Sequence, residues 1–402
     1  MDAQQIKEAL TVSKVASLFN IPITPGQSYQ PCPFCQSSKA FKVYYEKVYK
    51  CFRCGAKGDV FTLLEDAKLA SSFREAWQLL LQHVDSTVET RKYRARLKGM
   101  DKAFNIYQEE LKSSKDRVAE YCLSRGWKQT LQQKDFGFSN SSTLLQQKGL
   151  DKTQLEELGL MWSADKEIYD EHLIFPIRNS RGSLVHLQGR NLGVDPQRRW
   201  LADKGTPSIT NYLYNLHGIK THDYAVIVEG ISDCRSLMEM GEPAIATFNV
   251  NIPLLPHAKD LKHCTHLLAI FDRDKYPLGT AQAGQYKSWS QITPYLCELA
   301  IELRIPIFTW KVPDLPGIKD LNELFVAIEY DVDTYKDLLN KTVMPLHRVA
   351  LEVFGKSEVK QHHSLLWALH EAVEEPVEIE RLESYIMKKH ESWRSYLKWI
   401  NS

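Results

Sequence analysis

Two Cys-x-x-Cys pairs, Cys32-Pro33-Phe34-Cys35 and Cys51-Phe52-Arg53-Cys54, stand fifteen residues apart and constrain this chain more than any other feature. Each pair forms a turn that points two sulfurs at one centre, and a hairpin between them brings the turns together. Four thiolates satisfy tetrahedral Zn2+ in a closed site, so the metal is structural and its binding helps a small domain to fold. The other cysteines, Cys122, Cys234, Cys264 and Cys297, are scattered singly. One tight cluster among scattered thiols reads as a metal site in a reducing cytosol, not as a disulfide framework.

Between the pairs, residues 40–45 and 48–50 are β-prone and flank the turn pair Glu46-Lys47. Phe41, Tyr44, Tyr45 and Tyr49 alternate there with Lys39, Lys42, Lys47, Lys50, Arg53 and Lys57. Some of these rings must build the ribbon's own core. Aromatics beside cations also suit stacking on unpaired bases with phosphate contacts around them, and Lys42, Tyr44, Lys50 and Arg53 are the candidate contacts. Helical spacing covers residues 6–19, Gly58-Asp59 opens a second helix, and Ser72-Phe73-Arg74-Glu75 is a capping box before a third.

A chain of 402 residues can bury two or three cores. No run of eighteen apolar residues predicts a membrane span, and the polar N-terminus lacks a signal peptide's apolar core. The expected compartment is cytoplasmic. The net charge of +1 decides nothing, but residues 91–128 hold eleven Lys/Arg against five Asp/Glu. A linker or exposed helix is expected near 85–100. Residues 101–222 read as mixed α/β, with helices near 102–124 and 153–158 and strands at 173–177 and 184–187.

From residue 223 to 327 the chain alternates strand and helix. The apolar runs 225–228, 244–248, 266–271 and 307–310 predict a parallel sheet with helical crossovers. Glu229 follows the first strand directly, with Asp233 in the next helix; Asp272 and Asp274 follow the third, and Asp320 begins a further acidic element. Carboxyl ends of parallel strands are where open α/β sheets place ligands. Converging carboxylates repel one another, and hard divalent cations such as Mg2+ or Mn2+ remove that conflict and handle phosphate oxygens. Residues 328–402 carry only helical signals.

Glu229-Gly230-x-x-Asp233, then Asp272-x-Asp274, then Lys319-Asp320 resemble a TOPRIM domain. The order of zinc ribbon, basic segment and TOPRIM is similar to DnaG-type bacterial and phage primases over roughly residues 5–327. Residues 51–61, 121–127, 174–179 with 189–190, 199–201 and 213–216 carry the likeness outside the acids. The resemblance implies that Glu229, Asp272, Asp274 and Asp320 hold catalytic Mg2+ or Mn2+, with Asp233 supporting them. It also implies that Arg125, Arg178, Arg190 and Arg199 line a track for template or nucleotide. Asn322 stands where that family carries a further Asp, and residues 275–282 interrupt the usual run from Asp-x-Asp to Ala-Gly.

The expected organisation is a multidomain α/β and α+β chain: zinc-ribbon template-binding domain 1–85, linker 86–100, N-terminal polymerase subdomain 101–222, TOPRIM subdomain 223–327 and helical subdomain 328–402. The expected activity is RNA primer synthesis from ribonucleoside triphosphates on single-stranded DNA, with a replicative helicase as partner. Absence of a Walker A motif and the short tail predict a stand-alone phage or mobile-element enzyme, in the host cytoplasm. The rival readings are a TOPRIM strand cleaver and a non-catalytic single-strand DNA-binding replication factor.

Overall fold

The computed structural model describes residues 6–7, 9–27, 29–83, 88–133, 135–193, 199–205, 208–272, 287–318, 320–354, 365–366 and 368–369. The chain divides into two compact units, Met1–Met100 and Asp101–Ser402. The expected α/β and α+β architecture is observed, with a ribbon in the first unit and an α/β core in the second.

The first unit contains α1 (Val12–Leu18), β1 (Phe41–Tyr44), β2 (Val48–Cys51), β3 (Lys57–Gly58), α2 (Val60–Asp66) and α3 (Phe73–His83). The strands form one antiparallel sheet in the order β1-β2-β3. The helix expected over 6–19 is interrupted at Thr11, whose side chain accepts from the Lys14 N–H and starts α1 afresh. The ribbon loop explains why. Glu46 accepts from both the backbone N–H and the hydroxyl of Ser13, placing an anion at the α1 N-terminus. In the hairpin turn, closed by Lys47 N–H on the Tyr44 carbonyl, Tyr45 and Glu46 take positive φ of 45° and 60°, one residue earlier than the predicted Glu46-Lys47 pair. Asp59 caps α2, accepting from Phe61 and Thr62, and pairs with Lys7 at 2.6 Å.

Helix α4 (Val88–Ser113) has residues in both units, so from Val88 onward the charged segment is helical. The second unit continues with α5 (Lys115–Ser124), α6 (Lys128–Gln133), β4 (Gly137–Ser139), α7 (Leu144–Gln147), α8 (Lys152–Leu158), β5 (Met161–Ser163), β6 (Lys166–Glu167), β7 (His172–Arg178), β8 (Leu184–Asn191) and β9 (Trp200–Ala202). Strands β4-β7-β8-β9 form an antiparallel sheet and β5-β6 a small ribbon. Next come β10 (Tyr224–Val228), α9 (Ile231–Glu239), β11 (Ala244–Ala246), α10 (Ala258–Leu261), β12 (His266–Phe271), α11 (Lys287–Leu303), β13 (Ile307–Lys311), α12 (Leu321–Ala327), α13 (Val332–Thr342), β14 (Met344–Pro345) and α14 (Leu346–Phe354).

The second sheet has the order β11-β10-β12-β13-β14, parallel except for β14. The chain leaves β10 for one edge, at β11, and then returns past β10 to β12. The winding therefore reverses between β10 and β12, which opens a crevice at their carboxyl ends. β10 and β12 are buried along nearly their whole length, as strands covered on both faces must be. Leu346, Val349, Phe354, Leu365 and Leu369 pack into the same core as Ile227, Leu267 and Leu296. The short antiparallel β14 is an addition to a segment expected to be wholly helical.

Helix α9 joins the two large sheets. Arg235 is 2% exposed and lies between the rings of Phe175 and Tyr214, at 5.6 and 5.4 Å, with both outer nitrogens on the Asp135 carboxylate. Glu239 at the end of α9 accepts from the backbone N–H groups of Gln129 and Thr130, capping α6.

Candidate metal centres and nucleic-acid interface

The four ribbon sulfurs lie within 4.8 Å of one another, with Cys32–Cys54 at 3.9 Å and Cys35–Cys51 at 3.8 Å. A tetrahedron with Zn–S bonds of about 2.3 Å has S–S edges of about 3.8 Å, so these sulfurs fit a zinc ion. The N–H groups of Phe34, Arg53 and Cys54 donate to Cys32 or Cys51 sulfur, as each turn requires. Burial pushes the Cys32 and Cys51 thiols up, whereas the Ser37 N–H draws Cys35 down to about 7. Zinc would convert all four to thiolates and remove that conflict.

Lys42 and Lys50 stand directly opposite each other across β1 and β2. Like charges in register repel, and here rings lie beside both. Lys42 lies over Tyr29 at 5.2 Å and Tyr44 at 4.6 Å, and Lys50 over Phe52 at 5.3 Å. The expected stacking role of Tyr44 needs correction: the residue is 1% exposed and its ring has no open face for a base. Phe41 and Tyr49 are equally buried, stacked on each other at 5.3 Å. Phe52, 40% exposed, and half-buried Tyr29 lie 6.2 Å apart, and Tyr45 is half-buried as well. Phe52 sits inside the second Cys-x-x-Cys turn, whose tip cannot be buried; that was the available signal. Arg53 is exposed next to it.

In the second unit, Val228 pairs with Ile270, so Glu229 emerges beside Phe271 and one residue from Asp272 on the neighbouring strand. Adjacent strands are about 4.8 Å apart, which brings both acids to the crevice where the winding reverses. Asp233 lies buried in the first turn of α9. Burial pushes its carboxyl up to about 7, the negative charges of Asp320 and Glu229 add to this, and the Asn322 N–H and Arg125 oppose it. Glu229, Asp233 and Asp320 therefore share one electrostatic neighbourhood. Asp320 also caps α12 by accepting from Glu323 N–H at 2.8 Å. Asp274 lies outside the described residues. Among the described residues only the four ribbon cysteines bring three or more ligand atoms within 4.8 Å of one another; Glu229, Asp233, Asp272 and Asp320 share a neighbourhood without closing to that distance.

The expected arginine track is divided. Burial, and then the charges of Arg125 and Arg199, hold Arg190 below the usual guanidinium range, with Tyr121 offsetting in part. Arg190 lies over the rings of Tyr121 and Trp200, at 5.9 and 5.5 Å. Arg125, Arg190 and Arg199 thus form one cationic group. Arg178 does not belong with them. Its partner is Leu184, at the opposite end of β8 from Arg190, and five residues of strand separate the two positions by about 17 Å. Its guanidinium closes the hairpin by donating to the Gly182 carbonyl at 3.0 Å.

A closed four-sulfur ribbon followed by an α/β core with acids near its switch point defines the chain as a zinc-ribbon α/β protein. The model of the CHC2 zinc finger matches residues 3–96, and that of the N-terminal domain of the DNA primase catalytic core matches residues 106–220. A DNA primase of Clostridium acetobutylicum is 30% identical over 243 residues, 54% of this chain and 40% of the relative. A DNA primase of Legionella pneumophila is 25% identical over 362 residues, 81% of this chain and 58% of the relative. The chain spans about half the length of the curated relatives it matches. It shares the fold of the zinc-binding and RNA polymerase domains of Aquifex aeolicus primase, with TM-score 0.56, 18% identity and 98% of each chain covered. It also shares the fold of a DnaG primase catalytic domain bound to single-stranded DNA, with TM-score 0.57, 18% identity and coverage of 75% and 97%. In residues 3–96 and 106–220 the chain matches the zinc-finger and catalytic-core models of DnaG-type primases.

Proposed function

We propose that this chain is a primase that joins ribonucleoside triphosphates into short RNA on a single-stranded DNA template, with a TOPRIM centre at Glu229, Asp233, Asp272, Asp274 and Asp320. The observation that supports the reading is the β10–β12 register, in which Glu229 follows the Val228–Ile270 pair and stands one residue out of register with Asp272 at the reversal of the sheet. Glu229, Asp272 and Asp320, with Asp274, would hold Mg2+ or Mn2+, which neutralises phosphate charge when bound. Asp233, buried in the first turn of α9 beside Glu229 and Asp320, supports the site without itself being a ligand. The Arg125, Arg190 and Arg199 group binds the phosphates and orients the triphosphate, whose reacting atoms gain most from being held close and aligned. Lys42, Lys50, Phe52 and Arg53 on the ribbon hold the template strand, the lysines at phosphates and the exposed ring at a base. The bound single strand of the DnaG structural relative supports that choice of template.

We assign a replicative helicase as partner, to be sought on residues 328–402, and the cytoplasm as compartment. No helix among the described residues is long and apolar enough to cross a membrane. The test is incorporation of labelled ribonucleotides on single-stranded DNA with Mg2+ or Mn2+. Asp272→Ala is expected to lower primer yield at least about 100-fold with the template affinity unchanged. Nicking of supercoiled DNA without ribonucleotide incorporation would instead make the chain a strand cleaver.

A further inference from the structure

Asn322 occupies the position at which the acidic series would continue beyond Asp320, yet its side chain points to neither Glu229 nor Asp272. It is 1% exposed. Its carbonyl oxygen accepts from Arg125 Nη1 at 2.8 Å. Its amide nitrogen lies 2.7 Å from Ser236 Oγ, 3.0 Å from the Arg125 carbonyl and 3.1 Å from the Tyr330 hydroxyl. Its backbone N–H donates to Asp233 at 3.3 Å.

The polarity of this network is set from outside. Tyr330 donates its proton to the Arg125 carbonyl at 2.6 Å, and Ser236 donates to the Ser232 carbonyl at 2.9 Å while accepting from Trp127 Nε1 at 3.0 Å. All three oxygens around the amide nitrogen are therefore acceptors toward residue 322. Only a group that donates there while accepting from Arg125 fits, and a carboxamide does both. A carboxylate would place a negative oxygen against three lone-pair-bearing oxygens in a buried site.

The geometry points to Asn322 as a positioning residue and not a metal ligand: it fixes both the main chain and the guanidinium of Arg125 between the acidic crevice and the Arg190–Arg199 group. This inference rests on the reading of the crevice as a nucleotidyl-transfer centre. A triphosphate held by ions at the acids and by cations at the arginines has to pass Arg125, and Asn322 sets where that cation stands. Tyr330 backs the arrangement, because its ring occupies the space a side chain at residue 126 would need. A Cβ there would come within 2.1 Å of Tyr330 Cε2.

The experiment compares the full chain with Asn322→Asp, Asn322→Ala, Tyr330→Phe and Arg125→Ala by two readouts. The first is Mn2+ binding without nucleotide, followed by the signal of free Mn2+. The second is the KM for ribonucleotide and kcat in primer synthesis. For a positioning role, Asn322→Asp and Asn322→Ala leave Mn2+ stoichiometry unchanged and midpoints within about twofold. They raise KM about tenfold or more, and Asn322→Ala adds little to Arg125→Ala. Tyr330→Phe, which removes one hydroxyl, shifts KM in the same direction and serves if the residue 322 variants do not fold. The inference is overturned if Asn322→Asp binds an additional Mn2+ or binds it tenfold tighter while keeping primer synthesis. It is equally overturned if Tyr330→Phe and Asn322→Ala both leave KM unchanged. An unsubstituted chain that makes no primer sinks the functional reading instead, and the Mn2+ readout still decides whether residue 322 is a ligand.

Discussion

Asp233 shows how a single buried carboxyl can tie stability to metal. Its folded-state pKa of about 7 lies above the ordinary aspartate value of 3.8, so between those pH values the folded chain holds a proton that the unfolded chain has released. The metal-free protein therefore loses this group's contribution as pH rises from about 4 to 7. Divalent ions oppose the loss by offsetting the charge at Glu229 and Asp320. Thermal melts are expected to show a larger upward shift on adding Mg2+ or Mn2+ at pH 8 than at pH 5. Asp233→Asn should raise the metal-free melting temperature at pH 8 and shrink the response to metal. Equal metal shifts at both pH values would contradict this account. That Glu229 and Asp272 directly follow strands could be read from sequence, because it depends only on neighbours in the chain; how near they come to each other depends on the β10–β12 pairing. The roles of Tyr44, Arg178 and Asn322 could not be read so, because each depends on what packs against it from a distant segment.

At the scale of elements, the turn between α5 and α6 carries much of the site's geometry. Gly126 has φ of +75°, and Tyr330 fills the space where a side chain would go. Gly126→Ala is expected to lower stability by about 1–3 kcal/mol through the strained backbone, with more from the displaced ring, measurable by urea unfolding. It should also weaken ribonucleotide binding by moving Arg125. The strands of the parallel sheet were legible as continuous apolar runs, since burial on both faces leaves no alternation. β4, β9 and β14, of two or three residues, are too short to carry a period, and only their partners make them strands. The break at Thr11 was hidden for a related reason: helical spacing continues through it, and the anion that starts α1 comes from Glu46 on the hairpin.

For the whole molecule, the two units depend on different sources of stability. The first has a core of modest size gathered around the ribbon sheet, and Cys32 and Cys51 are part of it. Removing zinc by chelator, or Cys51→Ser, is expected to unfold the ribbon, because structural zinc contributes on the order of 10 kcal/mol in such domains. Zinc content should fall from one per chain, and hydrogen exchange should rise across residues 30–66 while the parallel sheet of the second unit stays protected. Protection kept in the ribbon after chelation would show that its apolar core suffices alone.

The Arg125–Asn322 bond joins positions 197 apart in the chain. At ribosomal rates of about 5–20 residues per second, roughly 10–40 s separate the synthesis of one partner from that of the other. During that interval a nascent chain already has its four ribbon cysteines and the basic segment before Arg125, but not the Asn322 that sets Arg125 in place. Such an intermediate could capture zinc and grip a polyanion, yet it could not select a nucleotide. On the proposed reading, nucleotide recognition is thus acquired late, when α12 docks onto α9.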